Sequence, residues 1–99
     1  MNIQIQSVRF DADRKLLKFI DQKVKKLGQY NDQILGAEVF LRLSKSERND
    51  NKVAEIKLNT PVNRLFAKKQ SKTFEEAIDL TVDALKVQIT RQKQKLRGN

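Results

Sequence analysis

Hydrophobic and polar residues alternate with two different periods along this chain, and the changes of period mark its elements. From Asn2 to Val8, Ile3, Ile5 and Ser7 alternate with Gln4, Gln6 and Val8, the rhythm of a half-buried strand. Asp11 or Asp13 is placed to cap the element that follows. From Arg14 to Tyr30 the apolar set Leu16, Leu17, Ile20, Val24, Leu27 and Tyr30 recurs at helical spacing, with Phe19 at its margin. Lys15, Lys18, Lys23, Lys25 and Lys26 fall mostly on the rest of that helix, and Gly28 weakens its last turn toward Asn31 and Asp32.

A strand is predicted over Ala37–Ser44, with Ala37, Val39, Leu41 and Leu43 on one face and Glu38, Phe40 and Arg42 on the other. The run KSERNDN, Lys45–Asn51, is polar turn material. Val53–Asn59 resumes the alternation, with Ala54, Ile56 and Leu58 inward and Val53, Glu55 and Lys57 outward. Thr60-Pro61-Val62-Asn63 turns the chain into a shorter strand, Arg64–Lys69. The last quarter, Thr73–Asn99, reads as one long helix. Thr73 and Glu76 make a capping box, and Phe74, Ile78, Val82, Leu85, Ile89 and Leu96 recur at steps of three and four, with one missed step near Gln92. Gly98 stands where a helix stop belongs, which gives a helix about 36 Å long.

The predicted order is therefore β-α-β-β-β-α, an α+β fold. Short connections make the last three strands antiparallel neighbours. Each helix has one apolar stripe and the sheet one apolar face, so both helices are expected side by side on one face of a four-stranded sheet. The 99 residues suffice for a single domain, residues 1–99, with one two-layer core.

Charge changes the picture more than length does. Lys and Arg number 21 against 12 Asp and Glu, a net charge of +9, which points to polyanionic partners: nucleic acid first, an acidic membrane second. The long helix divides this charge, with Glu75, Glu76, Asp79 and Asp83 in its first half and Lys86, Arg91, Lys93, Lys95 and Arg97 in its second. Dipole matching needs only the end turns. Five cations without an acid over three turns suit an anion-binding rail better. With the two helices adjacent, Lys23 and Lys26 join that rail on one surface, and Lys68, Lys69 and Lys72 form a second basic cluster. Lys15, Lys45, Lys52 and Lys57 read as solvated charges.

Other chemistry is poorly supplied. The absence of Cys removes disulfides and thiol chemistry and agrees with a reducing, cytoplasmic setting. With no His either, acid–base or nucleophilic catalysis would fall to carboxylates, Lys, Ser or Tyr30, and no enzyme is expected. Asp79 and Asp83 share a helix face, but two carboxylates do not make a metal site, and no glycine-rich phosphate loop exists. No cofactor, metal or small-molecule substrate is expected, and no apolar run approaches a membrane span. Aromatic residues are few, and only Phe40 reads as free on the outer sheet face. That argues against stacking of unpaired bases and for shaped, structured RNA.

The two helices resemble those of the ribosome hibernation-promoting factor and ribosome-associated inhibitor A family. Its long helix typically reads Y-x-AID near the start and Q-L-x-K-x-K-x-KL near the end; here Ala77-Ile78-Asp79, Gln88-Ile89, Arg91, Lys93 and Lys95-Leu96 match. In the first helix Phe19-Ile20, Lys23, Lys26-Leu27 and Gln29-Tyr30 are similar to the family's F-[VI]-x-x-K-x-x-K-L-x-x-Y. Glu75 stands where an aromatic residue is common and Val87 where a basic one is. The resemblance implies a stationary-phase factor that docks between head and body of the small ribosomal subunit, over the tRNA and mRNA sites, and silences translation. Ribosomal RNA and neighbouring ribosomal proteins would be its partners, and Lys23, Lys26, Arg91, Lys93 and Lys95 its phosphate contacts. Ending at Asn99, the chain resembles the short form, which implies favouring ribosome dimers while staying monomeric off the ribosome. Two rival readings are a general binding module for double-stranded or structured RNA and an adaptor whose long helix docks an acidic protein.

Overall fold

The structure, a computed structural model, describes residues 1–45 and 49–96, with backbone alone at 95 and 96. The elements follow in the predicted order. Strand β1 spans Asn2–Ser7, helix α1 Arg14–Lys25 with a 3-10 turn over Lys26–Gln29, β2 Gly36–Leu43, β3 Lys52–Asn59, β4 Arg64–Ser71 and α2 Phe74–Leu96. The four strands lie in sequence order. β1 runs parallel to β2, while β2–β3 and β3–β4 are antiparallel. A parallel neighbour cannot be reached through a tight turn, so α1 serves as the crossover between β1 and β2. It thereby comes to lie beside α2 on the sheet.

Local chemistry sets the helix starts. Of the two candidate caps for α1 it is Asp13 that acts, its Oδ1 accepting from the Leu16 backbone N–H at 2.8 Å. Thr73 caps α2 through its hydroxyl, which accepts from the Glu76 N–H at 3.1 Å. Where β2 begins, Gly36 faces Asn2 so closely that an added Cβ would sit 3.0 Å from the Asn2 carbonyl oxygen. The chain leaves β1 through Arg9, held in the left-handed region at φ 65°.

One apolar layer fills the space between sheet and helices. Val39, Leu41, Ile56 and Leu58 from the sheet meet Ile20, Val24 and Leu27 from the first helix and Ile78, Val82, Leu85 and Ile89 from the second, all buried. Thr81, fully buried, joins this layer unforeseen. Its hydroxyl bonds back to the Ala77 carbonyl at 2.7 Å, so only its methyl needs apolar company.

Four side chains depart from the sequence expectation. Leu17 and Tyr30 are exposed rather than part of the α1 stripe. Leu17 sits about 100° around the helix from Leu16. Tyr30 follows the 3-10 turn, whose tighter winding of about three residues per turn rotates it away from the core. Leu43, expected inward, is 51% exposed because it closes the last rung of the ladder opposite Lys52, outside the core cluster. Val53, expected outward, does face the outer side, yet it is only 1% exposed. Arg42 and Gln70 flank it in register, and Gln70 is tied down by hydrogen bonds to the Asp50 carbonyl and Ser44 Oγ. The central residues of the KSERNDN turn, 46–48, lie outside the described residues, as does the predicted stop at Gly98.

Leu85 lies at the centre of this layer with no exposure, so Leu85→Ala is expected to destabilise the fold by about 2–5 kcal/mol, read as the loss in denaturant unfolding free energy. An unchanged midpoint would mean that the layer is not closed around α2.

Candidate nucleic-acid interface

Once the apolar stripes are buried, the cations of the two helices have only the seam between them and the outer flanks left to occupy. Lys23 reaches across the seam: its Nζ lies 3.0 Å from Asp79 Oδ1 on α2 and 5.5 Å from the centre of the Phe19 ring. Lys86 answers from α2, with its Nζ 5.4 Å from the Tyr30 ring centre and 3.8 Å from Asp83 Oδ1. Each of these two lysines therefore has a carboxylate and an aromatic face beside it while its ammonium stays open to water. Tyr30, displaced from the core by the 3-10 turn, gains its role here.

Lys26 follows Lys23 by one turn, and Lys93 follows Lys86 by two, so both extend the seam along the same sides. Lys26, Lys93 and Arg91 are exposed and make no ion pair among the described residues. Arg91 does not join the seam. Two residues from Lys93 it points about 200° around the helix, and it lines a shallow cleft with Asn63, Leu65, Gln88 and Gln92 beside β4. The Lys95 side chain and all of Arg97 lie outside the described residues.

The second basic cluster divides in the same way. Neighbouring strand residues face opposite sides, so Lys68 lies on the outer sheet face opposite Glu55, whereas Lys69 lies on the helix side in register with Ala54. Lys72 sits in the connection to α2. The Asp79 and Asp83 carboxylates are engaged by Lys23 and Lys86, and among the described residues no group of three or more His, Cys, Asp or Glu is placed to hold a metal ion. On the outer face, Phe40 is joined by a second ring, that of Phe66, which is 47% exposed. Its alternation with the buried Leu65 and Ala67 was available in the sequence as a signal.

The fold and this charge distribution define a basic two-layer α+β domain whose helix cations line the seam between the helices and their outer flanks. Residues 3–97 match the family described as "Sigma 54 modulation protein / S30EA ribosomal protein", and the chain belongs to it. This is the family to which the two helix motifs point. Among solved structures, the Protein Y N-terminal domain of Thermus thermophilus is 26% identical, with a TM-score of 0.79 over 92% of this chain and 98% of that one. A ribosomal subunit interface protein from Coxiella burnetii, 18% identical, superposes with a TM-score of 0.84 over 95% of this chain and 99% of that one, a likeness of fold. Comparison with curated proteins by sequence gives no significant match. Among the described residues no helix is long and apolar enough to cross a membrane.

The Lys23–Asp79 pair is partly open to water, with side-chain exposures of 34% and 48%. A double-mutant cycle of Lys23→Gln and Asp79→Asn, read by thermal unfolding, is expected to give a coupling of about 1 kcal/mol or less. A coupling well above that would make the pair a structural clamp and remove Lys23 from the set of cations free to meet a phosphate.

Proposed function

We propose that this chain is a ribosome hibernation factor that binds the small ribosomal subunit at the tRNA and mRNA channel, blocks translation and favours ribosome dimers in stationary phase. The observation that carries the reading is membership of a ribosomal-protein family over residues 3–97, in a chain of net charge +9. The seam supplies the means. Lys23, Lys26, Lys86 and Lys93 are spaced along two parallel ridges, and a phosphate arriving there exchanges the neighbouring carboxylates of Asp79 and Asp83 for a closer partner. Arg91 adds a contact on the β4 side, where its guanidinium can hold a phosphate in two-pronged fashion. Lys95 and Arg97 continue the same charged run in the sequence. Such contacts act on the backbone of folded RNA and supply affinity with little sequence readout. The ribosome is the partner, the cytoplasm the setting, and a monomer the free form.

Replacing Lys26, Lys86 and Lys93 together by Gln removes three charges from the seam while keeping good helix formers. Thermal stability is expected to stay within about 1 kcal/mol, since these groups are exposed or in exposed pairs. Co-sedimentation with small subunits is expected to weaken steeply. The slope of log affinity against log salt should flatten by about 2–3 units, close to one for each lost phosphate contact. A matched variant with Lys15, Lys45 and Lys52 changed to Gln removes equal charge elsewhere. Equal losses in the two variants would mean that net charge alone is at work and that the seam is no site.

A further inference from the structure

The outer face of the sheet carries a pattern that the helix seam does not use. Four strands in register place Gln6, Phe40, Glu55 and Lys68 in one row and Gln4, Glu38, Lys57 and Phe66 in the next. Along β4 itself Arg64, Phe66 and Lys68 all face outward, a cation, a ring and a cation separated by steps of about 6.8 Å. Lys57 stands between the two rings, opposite Phe66 in register and with its Nζ 5.4 Å from the centre of the Phe40 ring.

The charges around the rings favour an anionic ligand. Arg64 and Lys68 make no ion pair among the described residues. Of the two carboxylates that the described strands place on this face, Glu55 is already held by Arg42 Nη1 at 2.6 Å, which leaves Glu38 opposite Lys57. The ring that matters is also firmly placed. Gln88 on α2 donates its amide to the Phe66 carbonyl oxygen at 2.8 Å, pinning the strand from the helix side, so the exposed ring is presented on a rigid element.

We propose that this face is a second nucleic-acid surface, which takes an unpaired segment of RNA by stacking a base on Phe66 while Arg64, Lys57 and Lys68 hold the flanking phosphates. An exposed ring bracketed by free cations on a flat sheet matches what a single strand offers: a flexible backbone of phosphates and bases with open π-faces. A protein partner is the poorer fit. The rings are separated by Glu55 and Lys57 of β3 and form no continuous apolar patch of the kind a protein hot spot requires. Duplex RNA fits poorly as well, since its bases are stacked on each other and present no face to a ring. The surface lies opposite the helix seam and does not depend on the ribosomal reading of that seam.

The test is fluorescence anisotropy at low salt with two labelled probes, an unstructured RNA of about six nucleotides and a short RNA duplex. Phe66→Ala is expected to weaken the single strand by about 5- to 150-fold, the loss of one stacked base, with duplex affinity nearly unchanged. Phe66→Tyr keeps the ring and is expected to retain single-strand affinity within a few-fold. The Lys26, Lys86 and Lys93 variant is expected to do the reverse, losing the duplex and keeping most of the single strand. Circular dichroism of each variant should be native, because the Phe66 ring is outside the core. Equal single-strand affinity for wild type and Phe66→Ala overturns the proposal, as does failure of the wild type to bind the single strand at low salt. Unchanged single-strand affinity together with loss of a protein from nuclease-treated extract would make the face a protein-docking surface and overturns it too.

Discussion

The single apolar layer between the inner face of the sheet and the two helices is the constraint from which the rest of the structure follows. With about 25 cal/mol for each Å² of apolar surface removed from water, a domain of this size has no second source of stability on that scale. Every inward position on β2 and β3 near the centre is therefore aliphatic, and Thr81 of α2, the one fully buried polar residue among the described residues, satisfies itself on its own helix. The charged residues are left with the margins. Lysine suits a margin because its methylene stem covers apolar surface while its head stays in water.

The parallel pairing of β1 with β2 decides which margin gathers cations from both helices. It obliges α1 to cross over the sheet and settle beside α2, and only that arrangement brings Lys23 within 3.0 Å of Asp79 and Lys86 over Tyr30. The carboxylates there lower the local charge below what the composition suggests. They also give the Lys23 and Lys86 ammonium groups anionic partners at the seam, in pairs that stay partly open to water.

Much of this was legible in the sequence, for a physical reason. Period-two and period-3.6 patterns survive in a chain whose core is one layer thick, because each element has a single buried face. Misplaced residues sit where that logic ends: Leu43 on the last rung of a ladder, Tyr30 beyond a change of helix type, and Val53 under neighbours contributed by two other strands. The separation of Arg91 from Lys93, and of Lys68 from Lys69, follows from the helix and strand periods alone and was open to the same reading. The partners of Lys23 and Lys86 were not, since Asp79 and Tyr30 meet them only through packing between elements distant in sequence.

The two faces of the domain also differ in the kind of force they can exert, and salt separates them. Along the helices the groups on offer are almost all point charges, whose hold on phosphate weakens as counterions compete. On the outer sheet face the exposed Phe66 ring brings a contact that does not depend on charge, flanked by cations that do. Raising the ionic strength therefore weakens the helix seam more than the ring. A chain of net charge +9 meets every polyanion in its surroundings, and charge alone ranks them by charge density. If the two faces act as proposed, discrimination comes from geometry, in the placement of the seam cations on one side and in the ring set between Arg64 and Lys68 on the other.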